Sequence, residues 1–282
     1  MKLSSSTKPD QFKGQIAVVT GAGSGIGRSM ALLLAKLGAK VHVADINGEA
    51  AGKTATEIEK AGGSALPHAL DVTDADAVAA FAADVYAADG RVDILHNNAG
   101  IGHGGPIDET PLEDWQKVLS VNLFGVINGL NAFVPRMIEQ GGNSHIVNTA
   151  SMAGLAASAG MAPYCTSKFG VVGMSLALDP ELQPKGIRVT ALCPGVIDTA
   201  IVKDSTMRGA IEGNHQKLTD FYKKRGASPD VVARDAVTAI VKKQVIKPSP
   251  WWQVVPGWWL MRVSPRAYTA VARRTYKSII GE

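Results

Sequence analysis

Tyr164-Cys165-Thr166-Ser167-Lys168 is the stretch of this chain best suited to acid–base chemistry. On a helix, residues four apart share a face, so the phenol and the ammonium converge on one point. A free tyrosine has a pKa near ~10 and is a poor base at neutral pH. A lysine cation about 4 Å away, at an effective dielectric of about 20, is worth about 4 kcal/mol. That is enough to lower the tyrosine by up to about three units. Such a pair can exchange a proton with a substrate oxygen near pH 7. Tyr and Lys at this spacing also occur on ordinary amphipathic helices, so the elements that position them decide the matter.

Those elements alternate between strand and helix. Residues 15–20 form a short β-branched apolar run, the pattern of a buried parallel strand. It leads into Gly21-Ala22-Gly23-Ser24-Gly25-Ile26-Gly27 and then a helical pattern with Ile26, Met30, Leu33 and Leu37 on one face, closed by Gly38. Strand, glycine turn and helix N-terminus together make a phosphate site, because glycine lets the backbone approach a pyrophosphate and the helix dipole favours the anion. The next strand, 40–44, ends at Asp45. An acid about twenty residues past the glycine turn is placed to bind the ribose hydroxyls of NAD and to repel the 2′-phosphate of NADP. The competing role for Asp45 is a cap on the helix expected over 48–60. The alternation continues with strand 64–70, helix 74–88 and strand 92–96, which predicts an open, mostly parallel sheet with helices on both faces. Asp71-Val72 and Asn97-Asn98-Ala99-Gly100 follow strand ends, where such sheets bind ligands. Asp71 could instead cap its helix.

Composition narrows the class. The chain has 282 residues, a net charge of +4 and two cysteines, Cys165 and Cys193. The charge is too mild to point to nucleic acid. The cysteines show no metal or disulfide-framework spacing and read as apolar fillers in a reducing, cytoplasmic setting. Residues 1–11 carry no apolar core and read as a disordered lead-in rather than a signal peptide. No uninterrupted apolar run is expected to span a bilayer.

By its motifs the chain resembles the short-chain dehydrogenase/reductase family, in its compact single-domain branch. Thr20 to Gly27 matches the Thr-Gly-x-x-x-Gly-x-Gly cofactor motif, and Asn97 to Gly100 the Asn-Asn-Ala-Gly motif. Asn122 matches the active-site Asn, Ser151 the catalytic Ser thirteen residues before Tyr164, and Tyr164 with Lys168 the Tyr-x-x-x-Lys pair. Pro194-Gly195 with Thr199 matches Pro-Gly-x-x-x-Thr. The resemblance implies a Rossmann-type doubly wound parallel sheet, strand order 3-2-1-4-5-6-7, in one domain over 12–256 with a substrate loop at about 196–228. It implies hydride transfer between NAD(H) and a secondary alcohol or ketone. Tyr164 is then the acid/base, Ser151 holds the substrate oxygen, and Lys168 binds the nicotinamide ribose and lowers the Tyr164 pKa. Asn122, on a helix over about 114–140, orders a water leading from Lys168. The implied cofactor contacts are Gly21, Ser24, Gly25, Ile26, Gly27, Asp45, Ile46, Asp71, Val72, Asn98, Ala99, Gly100, Tyr164, Lys168, Pro194, Gly195, Ile197 and Thr199, with no metal. Alternatives are an NADPH-dependent carbonyl reductase, against which Asp45 argues, and a catalytically silent NAD(H)-binding scaffold.

Three features depart from that pattern. Asp179-Pro180 predicts a kink or an end near Leu178 in the helix that begins near Tyr164, because an internal proline removes a hydrogen bond. In the family this helix packs on a partner subunit, so a homo-oligomer is expected with dimer or tetramer geometry open. Small residues between 152 and 161, with Leu155 and Met161, suit either a lipophilic substrate or a tightly packed loop. His103 is expected on an exposed loop. A strand is expected at Val254-Val255-Pro256, before a 257–282 extension. Residues 251–280 hold four of the five tryptophans together with Arg262, Arg266, Arg273, Arg274 and Lys277. That composition suits peripheral membrane contact or, in the favoured reading, packing over the pocket or a second subunit.

Overall fold

The computed structural model describes residues 8 and 10–281. Seven strands form one parallel sheet: β1 Ile16–Thr20, β2 Lys40–Asp45, β3 Ser64–Ala69, β4 Ile94–Asn97, β5 Ser144–Thr149, β6 Ile187–Pro194 and β7 Ile246–Ser249. Their order is 3-2-1-4-5-6-7, as the motif order implies. Every residue of β1 is buried, because a strand with neighbours on both edges and helices on both faces has no solvent side. The helices are α1 Gly25–Lys36, α2 Gly48–Lys60, α3 Ala75–Asp89, α4 Leu112–Leu119, α5 Gly125–Gln140, α6 Ala162–Leu182, α7 Gly209–Gly213, α8 His215–Arg225, α9 Pro229–Lys242, α10 Trp251–Val263 and α11 Pro265–Ile280. One core lies under α1, α2 and α9, around Met30, Leu34, Ile58 and Val237. The other lies under α3, α5 and α6, around Phe81, Phe133, Met137 and Val171.

Caps set where the helices begin. Asn47 caps α2 and Asp74 caps α3 through their side chains, which frees Asp45 and Asp71 for the crevice. Between α4 and α5 the helix takes a π turn over Ser120–Phe124. The regular helix expected at 114–140 is therefore interrupted at Asn122, and such turns frequently mark functional sites. By length and composition Leu112–Gln140 is apolar enough to cross a bilayer, although Ser120, Asn122, Asn128 and Asn131 interrupt its apolar run. Here its apolar side, with Val126, Leu130 and Phe133, packs into the second core.

Three further expectations are corrected. The last strand is β7, while Val254-Val255-Pro256 lies inside α10. Val254 points into the core and Trp258, four residues on, packs against it, a helical spacing that outweighs the β-branched pair. The helix carrying Tyr164 does not end near Leu178: α6 runs past Pro180 to Leu182. Asp179 holds that end, accepting two hydrogen bonds from Arg188 and one from the Val189 amide. His103 is buried in a two-residue strand, His103–Gly104, that pairs with Thr206–Met207. Of the expected lead-in 1–11, residues 1–7 and 9 lie outside the described residues. Residues 10 and 11 form a turn that seats Phe12 in the core.

Candidate active site

The site lies at the C-terminal ends of β1, β2, β4, β5 and β6. The turn after β1 fits a dinucleotide because there is room only for backbone. Gly21 has φ +62°, and a β-carbon there would lie 2.8 Å from the Ala99 Cα. At Gly27 it would collide with the Gly21 carbonyl oxygen and lie 2.5 Å from the Asn98 Nδ2. Ser24 and Ile26 complete the turn into α1, whose N-terminus has no side-chain cap, an arrangement that leaves amides for an anion. Asp45, at the end of β2, accepts from the Gly23 amide at 2.9 Å and from the Asn47 amide at 2.9 Å. It shapes the turn and places a carboxylate beside it. Ile46 is 73% exposed at the crevice rim, an apolar surface suited to a purine face.

The Asn98 side chain and N–H are engaged within the protein. Its amide nitrogen donates to the carbonyls of Thr20 and Gly21, and its backbone N–H donates to the Thr20 hydroxyl. Asn98 therefore braces the glycine turn, and it leaves Ala99 and Gly100 backbone at the surface of the crevice. Asp71 accepts from the Thr73 amide and hydroxyl in a local turn. The Val72 carbonyl accepts from Asn128.

Tyr164, Ser151 and Lys168 come together as the resemblance implies. Ser151 follows β5, and its hydroxyl accepts from the Ala153 amide and lies near enough to the Tyr164 phenol to favour its ionisation. Lys168 is buried, with its Nζ donating to the Thr149 carbonyl at 2.9 Å and lying 5.7 Å from the centre of the Tyr164 ring. Burial pushes Tyr164 up to about 12, and the nearby Ser151 hydroxyl only partly opposes this. Burial pushes Lys168 down to about 8. The lowering of Tyr164 expected from spacing is thus reversed in the protein alone. Removing a phenolate from water outweighs a cation held several ångströms away against a carbonyl.

Asn122 sits beside this pair. A β-carbon on Gly100 would lie 3.2 Å from the Asn122 Oδ1 and 3.5 Å from the Lys168 Nζ. The Asn122 side chain accepts from the Ile101 amide and donates to the Ile101 carbonyl and to Ser167. Its amide therefore clasps the loop after β4, and the π turn is what sets its backbone out of regular helical register. Oδ1 accepts from one amide only and keeps a second lone pair on the side of Gly100 that also faces Lys168.

Pro194 ends β6, and Gly195 donates to the Ser249 carbonyl. Ile197 bridges to Ala227 through bonds that use the Ala227 and Asp198 amides, so neither uses the Ile197 N–H. The Thr199 methyl lies 3.2 Å from where a Gly25 β-carbon would be, which brings the substrate loop onto the glycine turn.

Several functional residues carry no legible sequence signal. Gln253, on α10, accepts from the Val196 amide at 2.7 Å and fixes the strand-end turn. Tyr222, on α8, is near enough to Tyr164 to oppose its ionisation. Asp114 accepts from two guanidinium nitrogens of Arg208, Nε and Nη2, and pairs with the His103 imidazole, at 2.9 to 3.1 Å, and so ties the substrate loop to α4. Cys165 and Cys193 are buried, free thiols, as expected of fillers. The small residues at 152–161 are explained by packing at Gly154, whose β-carbon would lie 2.5 Å from the Lys168 carbonyl oxygen. The rest of that wall is covered by the C-terminal helices: the Tyr268 hydroxyl donates to the Ala157 carbonyl, and the Tyr276 ring abuts Gly160.

Comparison with known proteins agrees with this geometry. The chain is 43% identical over 269 residues to the "Probable oxidoreductase EphD" of Mycobacterium tuberculosis, covering 93% of this chain and 45% of the relative. It thus spans about half the length of the curated relatives at that level of identity. A short-chain dehydrogenase/reductase from Burkholderia phymatum, solved in complex with NAD, superposes with a TM-score of 0.84 at 31% identity over 89% of this chain and 94% of that one. A metagenomic short-chain oxidoreductase, solved in complex with NADP, superposes with a TM-score of 0.68 at 35% identity over 84% of this chain and 96% of that one. The description "short chain dehydrogenase" matches residues 15–208, a span that runs from β1 through Tyr164 and Lys168, and the chain belongs to that family of oxidoreductases.

Proposed function

We propose that this protein interconverts a secondary alcohol and a ketone on a lipophilic small molecule, with NAD(H) as its cofactor. The observation that carries the reading is the convergence of the Ser151 hydroxyl, the Tyr164 phenol and the buried Lys168 ammonium, 5.7 Å from the Tyr164 ring centre, beside the Gly100 backbone. The glycine turn, Asp45, Ile197 and Thr199 would hold the dinucleotide, which when bound supplies the hydride donor or acceptor. Ser151 positions the substrate oxygen, and Tyr164 exchanges a proton with it. At neutral pH the raised Tyr164 is a phenol, the form that donates to a developing alkoxide. In the oxidative direction it must first ionise, and the Lys168 charge, retained below about pH 8, favours that state. Asn122 and Asn98 hold the two loops between which these groups meet.

The Asp45 carboxylate beside the glycine turn supports NAD over NADP, since it would face the extra phosphate with like charge. The small and apolar residues of the 152–161 wall are what favour a lipophilic substrate. Phe169 and Leu176 on the outer side of α6, with Phe124 at the π turn, are exposed. They support a homo-oligomer formed through that face. The buried thiols fit a reducing cytoplasm. The test is Tyr164→Phe, assayed with NAD and a panel of secondary alcohols. Turnover should fall by at least about a hundredfold, with NAD affinity by calorimetry within about threefold. Undiminished turnover would refute the role of Tyr164.

A further inference from the structure

Helix α10 is apolar on two opposite sides. Val254 is 2% exposed and Trp258 packs on the core beside it, so one side is spent on the fold. Trp252, Trp259 and Val263 fall on the other side by helical spacing and are 56 to 63% exposed, and Trp251, in the first turn, is 63% exposed beside them. A helix apolar all round belongs in an interior or against a lipid phase, and a contiguous exposed apolar stripe marks a contact surface. Helix α11 divides its roles in the same way. Tyr268 and Tyr276 turn inward onto the 157–160 wall, and Arg266, Arg273, Arg274 and Lys277 are exposed. No Asp or Glu occurs from Trp251 to Gly281, against five Arg and Lys.

We propose that the α10–α11 hairpin docks on an anionic lipid surface. Tryptophan is suited to the depth of the headgroups, where its ring is in hydrocarbon and its N–H in water, and the cations of α11 are attracted to the acidic lipids. Charge selects this occupant over a second copy of the hairpin, since two such segments would bring the cations Arg262, Arg266, Arg273 and Arg274 against their own copies. The inner side of the hairpin rests on the wall of the proposed substrate pocket, so docking would bring that wall to the membrane. The docking itself does not depend on the proposed reaction.

The full chain is mixed with phosphatidylcholine vesicles, and separately with vesicles containing about one third phosphatidylglycerol, at low and high salt. Sedimentation with the vesicles and tryptophan quenching by brominated acyl chains are read. Binding to the anionic vesicles, weakened by salt, with quenching, is expected. The variant Trp251→Ser/Trp252→Ser/Trp259→Ser should lose about tenfold or more in partitioning. Arg273→Ala/Arg274→Ala should lose about fivefold for each charge. Both should keep their thermal midpoint within about 2 °C, as exposed sites do. Absence of binding to anionic vesicles, equal binding to neutral ones, or binding indifferent to the tryptophan variant would each overturn the proposal. So would a wild-type dimer that becomes monomeric in the tryptophan variant without any vesicle binding, because the stripe would then be a contact between copies.

Discussion

Asp45 shows how much one carboxylate is asked to do. One oxygen shapes the glycine turn through the Gly23 amide, and the other takes the Asn47 amide. The two functions can be separated. Asp45→Asn keeps an acceptor and removes the charge, so the preference for NAD over NADP should fall by about tenfold or more, with NAD affinity altered little. Asp45→Ala also loses the acceptors and should weaken both cofactors. Fluorescence titration with each dinucleotide measures this, and an unchanged ratio in Asp45→Asn would remove the residue from cofactor choice. Its identity and place were legible in the sequence, because a strand end roughly twenty residues past a glycine turn is a topological position. The ionisation of Tyr164 was not. Spacing reveals the attracting lysine but not the loss of water around the phenol, and here the second effect is larger.

At the scale of elements, what could be read were the strands and helices whose apolar period is unambiguous, from β1 through α3. The misreadings came where tertiary contacts overrule local pattern. Val254-Val255 is β-branched, yet the core receives Val254 and Trp258 at helical spacing. Pro180 lies in the last turn of α6, where losing one amide matters less than the grip of Asp179 on Arg188 and Val189. The anchor of the substrate loop was invisible, because Asp114 and Arg208 lie far apart in sequence. Asp114 is held well below the usual carboxylate range, chiefly by Arg208. Asp114→Asn should therefore free the segment from Thr206 onward. Hydrogen exchange across 206–225 should quicken by about tenfold, while the amides of β1 and β5 keep their protection. Uniform protection in both regions would show that the clamp holds nothing.

The whole molecule carries an unusual number of neutral imidazoles in its interior. Burial lowers His96 and His145 to about 3 and His68 to about 4. His42 is also lowered by burial, against an opposing bond to Asp89. Between about pH 6.5 and these values the unfolded chain binds more protons than the folded one, so stability is full above about 6.5 and is lost as pH falls. Each fully buried histidine should cost about 3 kcal/mol by pH 4. The thermal midpoint is therefore expected to be flat near neutrality and to drop steeply from pH 6 to 4. A midpoint unchanged at pH 4 would mean that these rings titrate normally.

The hydrogen bonds from Lys168 to Thr149, from Thr149 to Asn98 and from Asn98 to Thr20 run across the ends of three adjacent strands. They join the proton machinery and the nucleotide turn into one frame. The segment from Val196 to Arg225 and the hairpin touch that frame at a few points, among them Thr199, Gln253 and Tyr268. The frame and the outer segments are thereby separate parts of the chain. Under the proposed reaction, substitutions in the outer segments are expected to change which substrate is taken, and those in the frame to change proton exchange and cofactor binding together.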